Sequence, residues 1–451
     1  MEKSIAIIYP SLGGGMVRHA KDMIASWSQN ELTILGIKLQ RRIITIEVRK
    51  KGIVIDNYNF PLNNDELLIK ICQYYGVKLI HYHHIYNIPR KVMNLFEILG
   101  VPMAITLHDY FFVCPFINLT DDNIYCGEHG IKECNECIRK NVNKLMEKKI
   151  DILEWREEKY TFLKKAFKII VPHEDVKRRY LKYFPDLKIN VISNPELINI
   201  DTRALKSKKN RDSKKIKIGI LGHITPIKGA KKIVQCLRLA KKNNLNICFE
   251  LFGEIEDGTS FDKYEDIFII HGKYDEQSIY KEIAERNIDF FWFPAVLPET
   301  YSYTLTIPIR LKIPVVGCNL GAIGCRIVEN KWGEVYDWNA PANKILDILL
   351  NFKYIDYRGG DNFSVNNTTF LPIKNYYGNT EFMNRPTLSN ENNTKNILHV
   401  LEKKYCDNVR LDNLRGVEIK WLMKNGGINS IKILLFNIDW KWMLKMIFKM
   451  N

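Results

Sequence analysis

The chain has 451 residues, 46% hydrophobic and 11% aromatic, enough for two or three domains with real cores and too apolar for global disorder. With 67 basic against 51 acidic residues, its formal charge is +16. That charge favours an anionic partner (phosphates, nucleic acid, an acidic membrane face) or reflects a Lys-, Ile- and Asn-rich bias. No stretch reaches the roughly twenty apolar residues of a spanning helix, and Met1–Ser4 lack a signal peptide's charged region and cleavage site. Ten cysteines without an export signal make a reducing cytosol the default, with free thiols or a metal site rather than disulfides.

Ser4–Tyr9 reads as a buried strand, Gly13–Gly15 as a turn and Met16–Ser28 as a helix. Lys78–Tyr82 predicts a strand, Val92–Leu99 a helix, and Met103–Leu107 another strand. A long charged helix is expected around Lys144–Lys165, then short strands at Phe167–Val171 and Ile189–Ile192. Strands alternating with helices argue for a parallel sheet covered on both faces. The basic stretch Leu205–Lys215 breaks the pattern and reads as a solvated linker. The alternation then restarts: a strand at Ile216–Leu221, a helix through Lys241, and strands at Ile247–Phe252, Ile267–His271, Phe290–Phe293 and Val315–Gly317.

The chain therefore divides into a first α/β domain at 1–200, including a Cys-rich loop at 108–140, and a basic linker at 201–215. A second α/β domain follows at 216–354, then a polar Asn-rich segment at 355–393 and a helical extension at 394–451. The tail at 431–449 places Lys441, Lys445 and Lys449 on one helix face, with Trp440, Met443, Leu444, Ile447 and Phe448 on the rest. That composition suits a helix lying on a membrane surface or one docked on the protein itself.

The chemistry concentrates after Phe293. A helix expected to start near Tyr301 offers free N–H groups and a positive dipole end to phosphate. Glu299, just before it, could bond sugar hydroxyls or cap the helix. Gly222–Gly229 stands between a strand and a helix, with Lys228 placed to neutralise phosphate. Together these segments resemble the retaining nucleotide-sugar glycosyltransferases of the GT-B type, the large family four, over roughly residues 1–350. The resemblance rests on Gly13-Gly14-Gly15 with His19, Leu107-His108-Asp109-Tyr110, Gly222…Lys228-Gly229, Glu299–Tyr303, and Ile313-Pro314-Val315-Val316 with Gly321-Ala322.

The resemblance implies two Rossmann-like domains facing a central cleft and sugar transfer with retained configuration. Lys228 would hold the diphosphate together with His223, and Glu299 the donor sugar. Amides near Tyr301, Ser302 and Tyr303 would take phosphate oxygens. Gly14 and Gly15 would admit donor and acceptor, and His108 would lie beside the transferred sugar. Two positions depart from the family. Ile307 replaces a carboxylate that binds the ribose hydroxyls there, and isoleucine accepts no hydrogen bond. His223 stands where the family usually has Arg, a weaker and titratable cation. No Asp-x-Asp motif follows a strand, and the implied fold needs no catalytic metal.

Cys114, Cys126, Cys134 and Cys137 are zinc-like in number and type. A structural Zn²⁺ and four reduced thiols in a packed loop both stand as readings. The resemblance implies a cytoplasmic enzyme at the inner face of a bacterial membrane, extending a lipid-linked glycan of capsule or O-antigen type. A catalytically impaired scaffold subunit of a glycan-assembly complex is the alternative. Nucleic-acid binding has no zinc-finger, RNP-like or helix-turn-helix text behind it.

Overall fold

The computed structural model describes residues 3–40, 42–144, 150–195, 197, 215–256, 261–352, 369–378 and 380–384. The linker up to 214, the extension at 394–451 with its basic tail, and Cys406 lie outside the described residues.

The first sheet uses β1 (Ser4–Pro10), β2 (Thr33–Leu39), β3 (Ile43–Lys50), β4 (Ile53–Pro61), β5 (Val77–Tyr82) and β6 (Met103–Thr106). A small hairpin, β7 (Thr120–Asp121) and β8 (Ile124–Tyr125), precedes β9 (Lys168–Val171) and β10 (Ile189–Val191). The eight-stranded order is β10-β9-β6-β5-β1-β2-β3-β4. From β10 to β2 the pairs are parallel, but β2–β3 and β3–β4 are antiparallel. The expected wholly parallel sheet is thus a mixed one. A tight turn with positive φ at Lys51 and Gly52 joins β3 to β4, the handedness that suits a hairpin.

The second sheet is wholly parallel: β11 (Ile216–Leu221), β12 (Ile247–Phe252), β13 (Phe268–Gly272), β14 (Phe290–Phe293), β15 (Val315–Cys318) and β16 (Gly333–Tyr336), ordered β13-β12-β11-β14-β15-β16. β12, β14 and β15 are buried along their whole length and β11 from Ile218 to Leu221, as a sheet covered on both faces requires. The two-domain α/β architecture facing a cleft is therefore the one observed. β1 runs into Gly13–Gly15, β11 into Gly222–Gly229, and β14 into Pro294–Ser302, so these loops leave the carboxyl ends of their strands, where open α/β sheets bind ligands.

Two expected helices have other bounds. The charged helix runs Ile152–Lys164, because the Asp151 carboxylate accepts from Leu153 and Glu154 N–H and starts it there. Val92–Leu99 is two short helices, Arg90–Met93 and Leu95–Leu99.

After the second domain the chain returns to the first. Phe370, Tyr376, Tyr377 and Phe382 are buried in one cluster with Trp27 and the β1 residues Ile5 and Ile7. Trp27 Nε1–H donates to Leu371 O at 3.1 Å. The polar reading of 355–393 fails for this part, whose aromatic side chains complete the first domain's core.

Candidate active site

A cavity of about 570 Å³ opens between the domains. Gly14, Gly15, His108, Lys228, Glu299, Tyr301, Ser302 and Tyr303 all line it. His223, which follows β11, is exposed and does not line it. Ile307 is at the wall and 7% exposed, packed with Ile279 and Tyr280 in the second domain's apolar cluster.

Lys228 Nζ lies 3.8 Å from Glu299 Oε1. Glu299 is held by its backbone: Ala322 N–H donates to Glu299 O at 2.8 Å, from the first turn of helix Gly321–Glu329. Gly321 has φ 63, and a Cβ there would meet the Pro298 backbone at 2.6 Å, so only glycine lets the helix start against this loop. Across the cleft a Cβ on Gly15 would come within 3.2 Å of the Tyr303 ring. Gly15 thereby lets the opening turn of helix Gly14–Trp27 approach the donor-side wall.

The helix expected near Tyr301 begins at Tyr303. Ser302 takes φ 68 and ψ 95, which delays the start by two residues. Thr300 Oγ1–H donates to His108 O at 2.6 Å, and Tyr301 O–H to Asn194 O at 2.9 Å. These bonds fasten the wall to the first domain, where Tyr125 N–H also donates to Val296 O at 2.9 Å.

His108 belongs to a stack of imidazoles. His83 Nδ1 lies 2.9 Å from His108 Nε2, with ring centroids 5.1 Å apart, and His81 stacks on His83 at 4.6 Å. His81 is itself bonded to Tyr377 Oη at 2.7 Å and Thr106 Oγ1 at 2.8 Å. Burial, with smaller contributions from neighbouring imidazoles, holds His108 and His83 well below the usual histidine range. Burial likewise pushes His19 down to about 4 and His81 to about 3. At neutral pH His108 is a neutral donor or acceptor beside the cavity rather than a cation.

Arg18, Tyr274, Glu276 and Tyr280 also line the cavity and were not anticipated. Arg18 Nη1 donates to Glu276 Oε1 at 2.9 Å across the domains, and its guanidinium lies 4.4 Å over the Tyr303 ring. The signal was present: Arg18 stands one helical turn after Gly14 and so shares its face, and Glu276 follows a strand's carboxyl end.

The cysteine loop is a compact unit. Cys134 and Cys137 sit on helix Ile131–Lys140. Arg156 Nη2–H donates to Cys134 Sγ at 3.6 Å, and the Asn141 amide to Cys137 Sγ at 3.8 Å. Burial raises the Cys114 thiol to about 12 and the Cys137 thiol to about 11. Among the described residues no three His, Cys, Asp or Glu side chains form a group that could hold a metal ion. Cys126, Cys134 and Cys137 all act electrostatically on Cys114, and a guanidinium and an amide partner two of the four thiols. Cys72, Cys236, Cys248 and Cys318 are buried, and Cys325 is half-buried.

No family model and no curated protein matches the chain. Solved structures do. TarM is 17% identical over 68% of this chain and 56% of its own length, at TM-score 0.41, so the chain spans little more than half of TarM. HepE from Anabaena, in complex with UDP-glucose, is 13% identical over 77% of this chain and 88% of its own, at TM-score 0.47. A glycosyltransferase from Rickettsia africae is 16% identical over 94% and 99%, at TM-score 0.47. These likenesses assign no residue roles; the site stands on this chain's own geometry.

Proposed function

We propose that the chain is a glycosyltransferase that takes a sugar from a nucleotide diphosphate and passes it to a glycan or lipid-linked glycan. One observation carries the reading. A single interdomain cavity gathers a lysine, a carboxylate, a turn at a helix start and a neutral histidine, each at the carboxyl end of its strand. Lys228 neutralises charge on the leaving diphosphate, and the turn's amides take phosphate oxygens. Glu299 accepts from donor-sugar hydroxyls, and His108 meets the transferred sugar from the other domain.

Retention of configuration, a bacterial surface glycan as product and an inner-membrane-face location are finer parts of the same proposal. The +16 charge and the Lys- and Trp-bearing tail at 431–449 support an anionic lipid-phosphate acceptor. No helix of the described residues is long and apolar enough to cross a membrane. The test is a screen of UDP-, GDP- and dTDP-sugars with wild type and Glu299→Ala. Donor binding and turnover by the wild type, with turnover lost in the variant, is the expected result. Absence of calorimetric binding to every donor rejects the reading.

A second reading, a non-catalytic subunit of a glycan-assembly complex, is favoured by Ile307 and by the exposed His223. Product formed by the chain alone rejects it.

A further inference from the structure

The wall segment Pro298–Ser302 is backbone without regular structure, and its last residue is strained. Ser302 is a non-glycine residue at φ 68, a conformation that side-chain-bearing residues rarely adopt. No side-chain hydrogen bond caps the helix that follows. What holds the turn is Arg326, on helix Gly321–Glu329. Its Nη1 donates to Tyr301 O at 2.9 Å and to Ser302 O at 2.8 Å. Its Nη2 donates to Thr306 Oγ1 at 2.8 Å, and the guanidinium lies 4.4 Å over the Tyr301 ring. Four contacts from one side chain thus converge on three residues of wall and helix, Tyr301, Ser302 and Thr306.

Peptide planarity makes this directional. In a trans peptide the C=O and the next residue's N–H point opposite ways. Turning the Tyr301 and Ser302 carbonyls toward Arg326 turns the Ser302 and Tyr303 N–H groups away from it. Tyr301, Ser302, Tyr303 and Thr304 line the cavity, and Arg326 does not. The guanidinium therefore sits behind the wall and the amides face the opposite way.

We propose that Arg326 is a positioning residue, which presets the Ser302 and Tyr303 amides as a cradle for the diphosphate without touching the ligand. This rests on the nucleotide-sugar reading of the cavity. A guanidinium suits the task because its planar fork holds two carbonyls and a hydroxyl at once, whereas an ammonium offers a point charge. Its charge also adds to the positive field that a diphosphate meets. Without it, the Tyr301 and Ser302 carbonyls lose this donor and the strained turn at Ser302 loses these bonds, so the peptides are freer to turn.

The experiment compares wild type, Arg326→Lys and Arg326→Met for binding of UDP, GDP, ADP and dTDP by calorimetry, and of the matched nucleosides by ligand-observed NMR. For the diphosphate that wild type binds, Arg326→Met is expected to lose tenfold or more in affinity and Arg326→Lys an intermediate factor. The matched nucleoside, which has no phosphate to meet the cradle, changes less than twofold. Adding Ser302→Gly to Arg326→Met recovers at least threefold, because glycine takes the turn without strain. Circular dichroism confirms folding, and Arg326→Lys carries the comparison should the methionine variant unfold. Unchanged diphosphate binding, or nucleoside and diphosphate affinities falling together, overturns the role of Arg326 while leaving the site intact. No diphosphate bound by the wild type overturns both.

Discussion

Lys228 Nζ stands 3.8 Å from Glu299 Oε1, a cation and a carboxylate supplied by loops that leave neighbouring strands β11 and β14. With the Lys228 side chain 41% exposed and the ion separation near the limit of a salt bridge, this pair adds little to stability. Its use lies in what displaces it. A diphosphate competes for Lys228 and frees Glu299 for sugar hydroxyls. Lys228→Met is expected to weaken nucleoside diphosphate binding ten- to a hundredfold, about 1.4–2.8 kcal/mol by the usual conversion. Glu299→Gln should leave nucleoside diphosphate affinity within a few-fold and abolish turnover of the sugar-bearing donor. Titration calorimetry with both ligands separates the two effects.

Ile307 allows a gain-of-binding prediction. It lines the cavity and belongs to the apolar cluster that also holds Ile279 and Tyr280. A glutamate there keeps the chain length needed to reach the cavity and adds acceptors for ribose hydroxyls. Ile307→Glu is expected to tighten ribonucleoside diphosphate binding by up to about tenfold, roughly 1.4 kcal/mol. A 2′,3′-dideoxy analogue should show no gain. Burying a carboxylate beside the apolar cluster should also lower the melting temperature by several degrees. Equal gains for both nucleotides would show that the carboxylate does not reach the ribose.

The buried imidazoles make stability pH-dependent in a defined direction. His19 and His81 have folded-state pKa values of about 4 and about 3, below the ordinary 6.5, and His83 and His108 shift the same way. The unfolded chain therefore binds more protons on acidification. Stability is fully present above about pH 6.5 and falls as pH drops toward the folded-state values, at about 1.4 kcal/mol per pH unit for each such histidine. Urea unfolding at pH 7.5, 6.0 and 5.0 should show a declining midpoint. His81→Gln retains a donor and an acceptor for Tyr377 and Thr106, and its decline should be shallower. A midpoint flat between pH 7.5 and 5.0 contradicts the burial of these rings.

Much of this was legible in the sequence because parallel strands buried on both faces leave continuous apolar runs. Ile216–Leu221 and Ile247–Phe252 are nearly such runs, each broken by one charged residue, Lys217 and Glu250, and their bounds are those of β11 and β12. Gly14, Gly15, Lys228 and Glu299 were legible only together, through the resemblance their segments carry, since alone Glu299 reads as a helix cap and Lys228 as a solvated lysine. The hairpin of β3 and β4 was missed, since it alternates Ile44, Ile46 and Val48 with polar residues amid many charges. Its turn signal, Lys51-Gly52, is weaker than an Asn-Gly pair. Arg326 could not be read, because its role depends on a helix packing behind a loop twenty-four residues away from Ser302. The cysteine spacing likewise said nothing of Arg156, which takes up Cys134.

The return of the chain to the first domain leads to a prediction on stability. Trp27 is 2% exposed, with Tyr376 edge-on to it at 5.0 Å, Tyr377 tilted against it at 5.6 Å and its N–H on Leu371 O. Tyr377 also reaches His81, so this cluster touches the end of the stack that leads to His108. Trp27→Ala is expected to cost about 3–5 kcal/mol, as for large aromatic truncations in a core. Tyr377→Phe keeps the ring and removes only the hydroxyl from His81, so it should cost about 1–2 kcal/mol. The double variant Trp27→Ala with Tyr376→Ala should fall short of additivity by about 0.5–1.5 kcal/mol, since the two rings share one contact. Chemical unfolding followed by far-ultraviolet circular dichroism, applied to these three variants and to Tyr376→Ala, gives all four values. If the segment merely rested on the surface, both tyrosine variants would match wild type, and the cycle would close additively.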